Sequence, residues 1–488
     1  MKKFLCVLLV LSMFFSAFGC SANTEPEIIE NESVLGDISS ESSSEINRSS
    51  ESSSVTESVE SETSLDNSSE SKAESSSSSS SEKNESSSVS SSQSVSSSSS
   101  STPESSESSS SETEALPENT YSSSGETRAV WISFLEYQSI LQGKTKSQFT
   151  SNIKTMFKNL ADDGFNTVFV HVRSHSDAMY DSDIFPWSVY CTGTEGNAPS
   201  FDPLEIMVEE AHFAGLKIEA WINPYRVKGS SDTSKIAKSS PAYKWLDTGK
   251  VVVLNSGIFY NPADEDVIEL IVSGVEEVVR NYDVDGIHFD DYFYPTTEES
   301  FDRAYYNEYK SGGGTLKLAQ WRRQNVNTLI KKVYSAIKAI DSSCRFGISP
   351  RGSTNQDYNL LYCDIYTWVT SKGYVDYICP QLYYGFNNRD CPYLDVLSEF
   401  NDMITRSDVE LIVGLAAYKA GTEDTYAGES GKKEWLENSD ILARQIIAAR
   451  NESKYSGFAL YRYDSVYNPS SSVKKAVALE KQNLLDIM

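Results

Sequence analysis

Residues 286–295 read Gly-Ile-His-Phe-Asp-Asp-Tyr-Phe-Tyr-Pro, and this stretch decides the fold. Ile287 and Phe289 alternate with His288 and Asp290, the period of a β-strand whose two faces meet different surroundings. In a parallel sheet covered by helices the outer face must be apolar, so Ile287 and Phe289 face helices while His288 and Asp290 face inward. The same pattern recurs outward along the chain. Val168, Val170 and Val172 point out and send His171 and Arg173 in, and Ile218, Ala220 and Ile222 leave Glu219, Trp221 and Asn223 inside. The fifth run turns Ser349 and Arg351 inward, and the sixth turns Tyr377, Cys379, Gln381 and Tyr383 inward.

Eight such β-rich runs are expected, at residues 128–135, 166–173, 217–225, 286–292, 345–351, 374–383, 410–418 and 457–464. Amphipathic helical segments separate them, for example at 149–162, 203–214, 264–281, 316–340 and 439–451. Eight β/α units in roughly 360 residues is the count of a closed (β/α)8 TIM barrel of the α/β class. A doubly wound open sheet would show a Gly-rich phosphate turn after its first strand, and none is present. Residues 251–259 fall between the third strand and its helix and read as a hairpin inserted at the barrel mouth.

The segment ahead of this domain is of another kind. Of the −28 net charge of the 488-residue chain, residues 21–125 carry −18, with 47 serines among 105 positions. Such a stretch buries too little apolar surface to offset the entropy of ordering it, and reads as a disordered tether with a reach above roughly 50–60 Å. Residues 1–20 combine Lys2 and Lys3 with an apolar run and end in Ala17-Phe-Gly-Cys20. They read as an export signal, resembling a bacterial lipoprotein cleavage box with Cys20 as the lipidated residue. The expected organisation is a signal at 1–20, a tether at 21–125 and a catalytic domain at 126–488. The domain would then be held on the outer face of the membrane and reach into the cell wall. Residues 126–488 carry −12 and no basic block, which argues against nucleic acid as a partner.

Polar side chains on three adjacent strands depart from the usual Val, Ile and Leu filling of a barrel. His171, Glu219 and His288 are expected to pair in a middle layer as a supporting network, because buried charges are costly unless paired. Arg173, Asn223, Asp290, Arg351, Gln381 and Tyr383 fall at C-terminal strand ends, the face on which barrel enzymes build their sites. Burial among aromatic residues raises a carboxyl pKa, as a general acid near neutral pH requires. That makes Asp290 the first catalytic candidate, and Asp291 is equally open to a structural or a catalytic role.

Together these motifs resemble the glycosyl-hydrolase-like family ten of bacterial extracytoplasmic proteins. The matching segments are Arg128-Ala-Val-Trp131, residues 164–173, Asp177-Ala-Met-Tyr180 with Pro186-Trp-Ser188, Ala220-Trp-Ile-Asn-Pro-Tyr-Arg226, residues 285–295, Gly347-Ile-Ser-Pro-Arg351, Pro380-Gln-Leu-Tyr-Tyr384 and Gly457-Phe-Ala-Leu-Tyr461. The resemblance implies a (β/α)8 barrel that hydrolyses a bacterial glycan, peptidoglycan strands above all. Glycosidases commonly set two carboxyl groups across the scissile bond. Asp177 is the favoured second group because it lies in the family-like segment, with Asp181, Glu136 and Asp464 behind it. The fourth strand also loosely resembles that of chitinases, but Tyr292 stands where their acid would be.

Sugars present flat C–H faces that stack on rings, which marks Trp187, Trp221, Tyr225, Tyr292 and Tyr383 as sugar platforms. Arg173, Asn223, Arg226, Arg351 and Gln381 would hold hydroxyl or acidic groups. No cofactor and no metal are expected. His171, His175 and Asp290 could be imagined as a zinc set, but His171 lies a layer below the strand end where His175 begins the loop. The two rival readings are a glycan-binding barrel without turnover and a metal-dependent polysaccharide deacetylase.

Overall fold

A computed structural model describes residues 125–488; the export signal, Cys20 and the tether lie outside the described residues. Eight parallel strands close into a barrel in sequential order. They are β1 (Thr127–Ile132), β2 (Thr167–Arg173), β3 (Lys217–Ile222), β4 (Gly286–Phe289), β5 (Arg345–Ile348), β6 (Tyr377–Ile378), β7 (Glu410–Ala416) and β8 (Tyr455–Tyr461). The chief helix after each is α1 (Lys146–Asp162), α2 (Pro203–Phe213), α3 (Glu265–Asn281), α4 (Leu318–Ile340), α5 (Ile365–Thr370), α6 (Tyr393–Met403), α7 (Ile441–Ala449) and α8 (Lys474–Leu485). The expected α/β barrel is therefore the observed one, although β6 keeps only two ladder residues of the ten expected.

Local chemistry sets the elements. Thr145 and Gln148 form a capping box at the start of α1, Asp202 caps α2 with Pro203 at its first position, and Asp264 caps α3. Each cap satisfies backbone N–H groups that have no partner in the first helical turn. Val168, Val170, Ile218, Ile287, Phe289 and Ile348 join the apolar layer between strands and helices. A second, smaller cluster fills the barrel itself: Ala129, Trp131, Phe169, Trp221, Tyr377, Cys379, Ile412 and Ala459.

The inserted hairpin is present as Val251–Leu254 against Gly257–Tyr260, with Arg226–Lys228 as its third strand. It hangs from the end of β3 and carries Arg226 to the barrel mouth.

The barrel closes between its first and last strands, and a buried cluster secures the seam. Glu126 accepts from Arg450 Nε and Nη2 at 2.9 and 3.0 Å, from Tyr455 Oη at 2.7 Å and from Arg128 Nε at 2.8 Å. Burial alone would raise the Glu126 pKa, but these donors hold it below the ordinary glutamate value.

One strand departs from strict alternation. The pairing of β2 with β3 slips between His171 and Arg173, so that Arg173 lies opposite Ile222. A bulge of this kind inserts one residue and turns the following side chain to the other face. Val172 stays in the apolar layer, and Arg173 joins it there. Its guanidinium lies 4.4 Å over the Phe185 ring, against Gly274 of α3.

Candidate active site

Beneath the mouth, a chain of hydrogen bonds runs through the barrel. Trp131 Nε1 donates to His288 Nε2 at 3.1 Å. Indole is only a donor, so the ring proton of neutral His288 sits on Nδ1 and is given to Tyr377 Oη at 2.7 Å. Tyr377 in turn donates to Glu219 Oε2 at 2.6 Å. Burial drives the His288 pKa down to about 3 and raises that of Glu219. Glycines make room for this chain: a Cβ at Gly347 would fall 1.9 Å from the Tyr377 ring, and one at Gly286 would fall 2.7 Å from the Glu219 carboxyl.

The expected direct pairing of His171, Glu219 and His288 is thus corrected. Tyr377 bridges Glu219 and His288, while His171 stacks on Trp221 at 3.6 Å and bonds Asn223 Oδ1 at 2.8 Å. The three sit on neighbouring strands, but the gap between Glu219 and His288 is spanned by a single hydroxyl oxygen.

Above this layer β4 ends at Phe289, and the next two residues are carboxylates at the mouth. Asp290, 3% exposed, accepts from Trp221 Nε1 at 3.1 Å and from the Tyr292 backbone N–H at 3.2 Å. Burial, reinforced by the adjacent Asp291 charge, holds its pKa well above the ordinary aspartate value; the two hydrogen bonds and Arg226 oppose that rise without reversing it. Because the strand has ended, Asp291 does not simply turn away from the axis. Its Oδ2 accepts from Arg351 Nε at 3.0 Å and its Oδ1 from Gln381 Nε2 at 3.4 Å. Arg351 and Gln381 form one further rung between the ends of β5 and β6.

Arg226 stands on the other side of Asp290, with its guanidinium 4.6 Å over the Tyr292 ring and no carboxylate partner among the described residues. Tyr383 meets Tyr418 and Tyr461 edge-on or tilted, each at 5.9 Å, forming an aromatic wall at the ends of β6, β7 and β8. Tyr418 and Tyr461 were missed in the sequence because nothing local marks rings contributed by three separate strands. Asp357 was missed as well. It is fully buried, accepts from the Arg351 backbone N–H at 3.2 Å, and burial with the Asp291 charge raises its pKa.

The remaining sequence candidates lie elsewhere. Asp177 is wholly buried beneath the loop after β2, where the chain doubles back through Ala178 N to Pro186 O at 2.8 Å and Ser188 N to Ala178 O at 2.7 Å. Burial lifts its pKa to about 6 against the pull of Lys228 and Ser188. Asp291 rather than Asp177 stands next to Asp290. Tyr225 is also wholly buried, edge-on to Phe293 at 6.5 Å, so it packs the outer layer and offers no sugar platform. Trp187 is half-buried and packs on the core from the loop after β2. Arg173 is turned outward by the bulge, as described above. Glu136 caps a helix and pairs with Arg462 at 2.5 Å. His175 bonds Ser174, and among the described residues no three His, Cys, Asp or Glu side chains group as a metal site.

A model of the glycosyl hydrolase-like 10 family matches residues 126–428. Glycosyl hydrolase YngK of Bacillus subtilis is 36% identical over 315 residues, 60% of this chain and 61% of that protein. Less than two thirds of the Bacillus protein is therefore matched. Glycosyl hydrolase DigH of Escherichia coli is 34% identical over 340 residues, 63% of this chain and 74% of that protein. The PgaB (BpsB) glycoside hydrolase domain from Bordetella bronchiseptica shares the fold, with a TM-score of 0.51 at 15% identity over 74% of this chain and 99% of that one.

Proposed function

The chain belongs to the glycosyl hydrolase-like 10 family, and from that premise we propose that it hydrolyses glycosidic bonds in a bacterial surface polysaccharide, with peptidoglycan glycan strands as the substrate. The observation that carries this reading is Asp290, a carboxyl at a C-terminal strand end whose burial raises its pKa, beside a second carboxylate paired with arginine. Two neighbouring carboxyl groups in unlike environments divide the work of acid and anion. Asp290 protonates the leaving oxygen as the glycosidic bond breaks, and water then adds to the anomeric carbon and returns a proton to Asp290. Asp291, oriented by Arg351 and Gln381, places negative charge near the sugar ring as oxocarbenium character develops.

The other residues bind. Arg226 and Tyr292 stand beside the acid, Gln381 holds Asp291, Asn223 keeps an unpartnered amide N–H for the sugar, and Tyr383 gives a face for a neighbouring sugar. Trp221 orients Asp290 from below. The export signal and Cys20 in the sequence support a lipid-anchored protein outside the cytoplasm, whose serine-rich segment lets the barrel reach into the wall.

The test is incubation of the protein with purified wall glycan, with and without stem peptides, followed by mass spectrometry of the released fragments. New reducing ends that vanish in Asp290→Asn are expected. Glycan that is pulled down intact by both forms would replace hydrolysis with binding alone.

A further inference from the structure

On the outer wall of the barrel a cavity of about 350 Å3 opens between α4 and the β5–α5 connection. Gln320, Gln324, Asn327 and Lys331 line it from one face of α4, at the spacing that brings successive helical turns together. The opposite face of that helix buries Val326, Leu329, Ile330 and Val333 in the core. Tyr358 and Tyr374 close the far side.

Arg323 is already positioned in this cavity. Its guanidinium lies 3.7 Å over the Tyr358 ring, and Nη1 donates to the Tyr358 carbonyl at 2.8 Å, which leaves its other N–H groups unused. Tyr358 as a residue is 43% exposed, with one face of its ring under the guanidinium. Neither Arg323 nor Lys331 has a carboxylate partner among the described residues. Asp364 lies in the same cavity, but its oxygens are taken up by Asn327 at 3.1 Å and by Thr367 at 2.6 and 3.3 Å. Arg323 and Lys331 against Asp364 leave the cavity lining with a net charge of +1 in a domain of net charge −12. An exposed ring beside a fixed guanidinium fits the two parts of an acidic sugar: an apolar C–H face and an anionic oxygen group.

We propose that this cavity is a second glycan site, which takes an anionic polysaccharide through stacking on Tyr358 and ion pairing with Arg323 and Lys331. It is separate from the catalytic mouth yet mechanically continuous with it. Tyr358 directly follows Asp357, whose carboxylate accepts from the Arg351 backbone, and Arg351 pairs with Asp291. A strand held here would keep the enzyme on an acidic wall polymer independently of cleavage.

The experiment is retardation of the full chain in gels containing polygalacturonate, phosphomannan or neutral dextran. Binding to an acidic polymer should weaken steeply with salt and fall by about tenfold or more in Arg323→Glu/Lys331→Glu. Tyr358→Ala should weaken it too, and thermal melting checks that each variant is folded. Retardation by polygalacturonate alone assigns a carboxylate, by the phosphate polymer alone a phosphate. Equal retardation by dextran, undiminished binding after charge reversal, or no binding to either acidic polymer would each overturn the proposal.

Discussion

The indole N–H of Trp221 reaches the Oδ2 of Asp290 across 3.1 Å while the ring behind it stacks on His171 at 3.6 Å. The end of β3 thereby fixes the carboxyl carried by the end of β4. A group that must hand over a proton has to stay in place while its charge changes, and a hydrogen bond from a wedged indole supplies that constraint without adding a charge.

Asp290→Asn is expected to abolish glycan release, by a factor of about 10²–10⁴, and to remove one source of pH-dependent stability. In the folded state the acid keeps its proton above the pH at which the unfolded chain loses it. Ionisation therefore favours the unfolded chain, and stability falls as pH rises from about 4 through the folded value. The amide removes that pH dependence, but its NH2 group cannot accept, so either Trp221 Nε1 or the Tyr292 backbone N–H loses its acceptor; the variant should melt below the parent at pH 4, and the gap should narrow as pH rises.

Trp221→Phe tests the orientation of the acid. The indole bond favours the ionised form of Asp290, so its loss should shift the alkaline limb of the kcat/KM profile to higher pH, by about half to one unit. A limb that does not move would separate Asp290 from that ionisation.

Arg173→Met should leave KM unchanged and keep or raise the melting temperature. The guanidinium sits outside the barrel on Phe185 with Nη1 unpartnered, and replacing a buried charge with an apolar chain of similar length is commonly neutral to stabilising by about 1–4 kcal/mol. A tenfold rise in KM in a fully folded variant would return Arg173 to the substrate.

Tyr377→Phe cuts the link between His288 and Glu219. Glu219 Oε1 already has no hydrogen-bond partner, so losing the phenol leaves the carboxyl bare, at a cost of about 1–3 kcal/mol by denaturant titration. Turnover per folded molecule should be retained, because the chain lies beneath the site.

Glu126→Gln loosens the barrel seam, with a signature in acid. A carboxylate held below its ordinary pKa contributes stability above about pH 4, and that contribution is lost as pH falls through the folded value. The variant should melt lower than the parent at pH 7 and lose less on acidification; parallel curves would remove Glu126 from the acid response.

The barrel was legible because most strands alternate and α1, α2, α3 and α5 begin at side-chain caps, both local signals. Asp290 was legible for the same reason: it is the inward position at the end of an alternating run. Arg173 was misplaced because a bulge is a property of the pairing between β2 and β3, and no residue in either strand announces it. Tyr225 was read as a sugar platform from its position after β3, whereas the chain leaves the strand before it and turns the ring into the outer layer. Tyr418 and Tyr461 were legible as strand-end residues but not as one wall with Tyr383, and Asp357 gave no signal, since their relation to the mouth depends on segments from different strands meeting there.

By itself the sequence determined the eight β/α units and the inward face of β4, because the side-chain period of a strand and the needs of helix ends are settled within a few residues. Only the tertiary structure decided that Tyr377 joins His288 to Glu219, that Asp291 answers to Arg351 and Gln381, and that Asp177 is sealed under its loop. Those outcomes depend on distances across a closed ring, and a carboxyl becomes an acid or an ion-pair partner according to the water it loses and the charges that ring closure sets beside it.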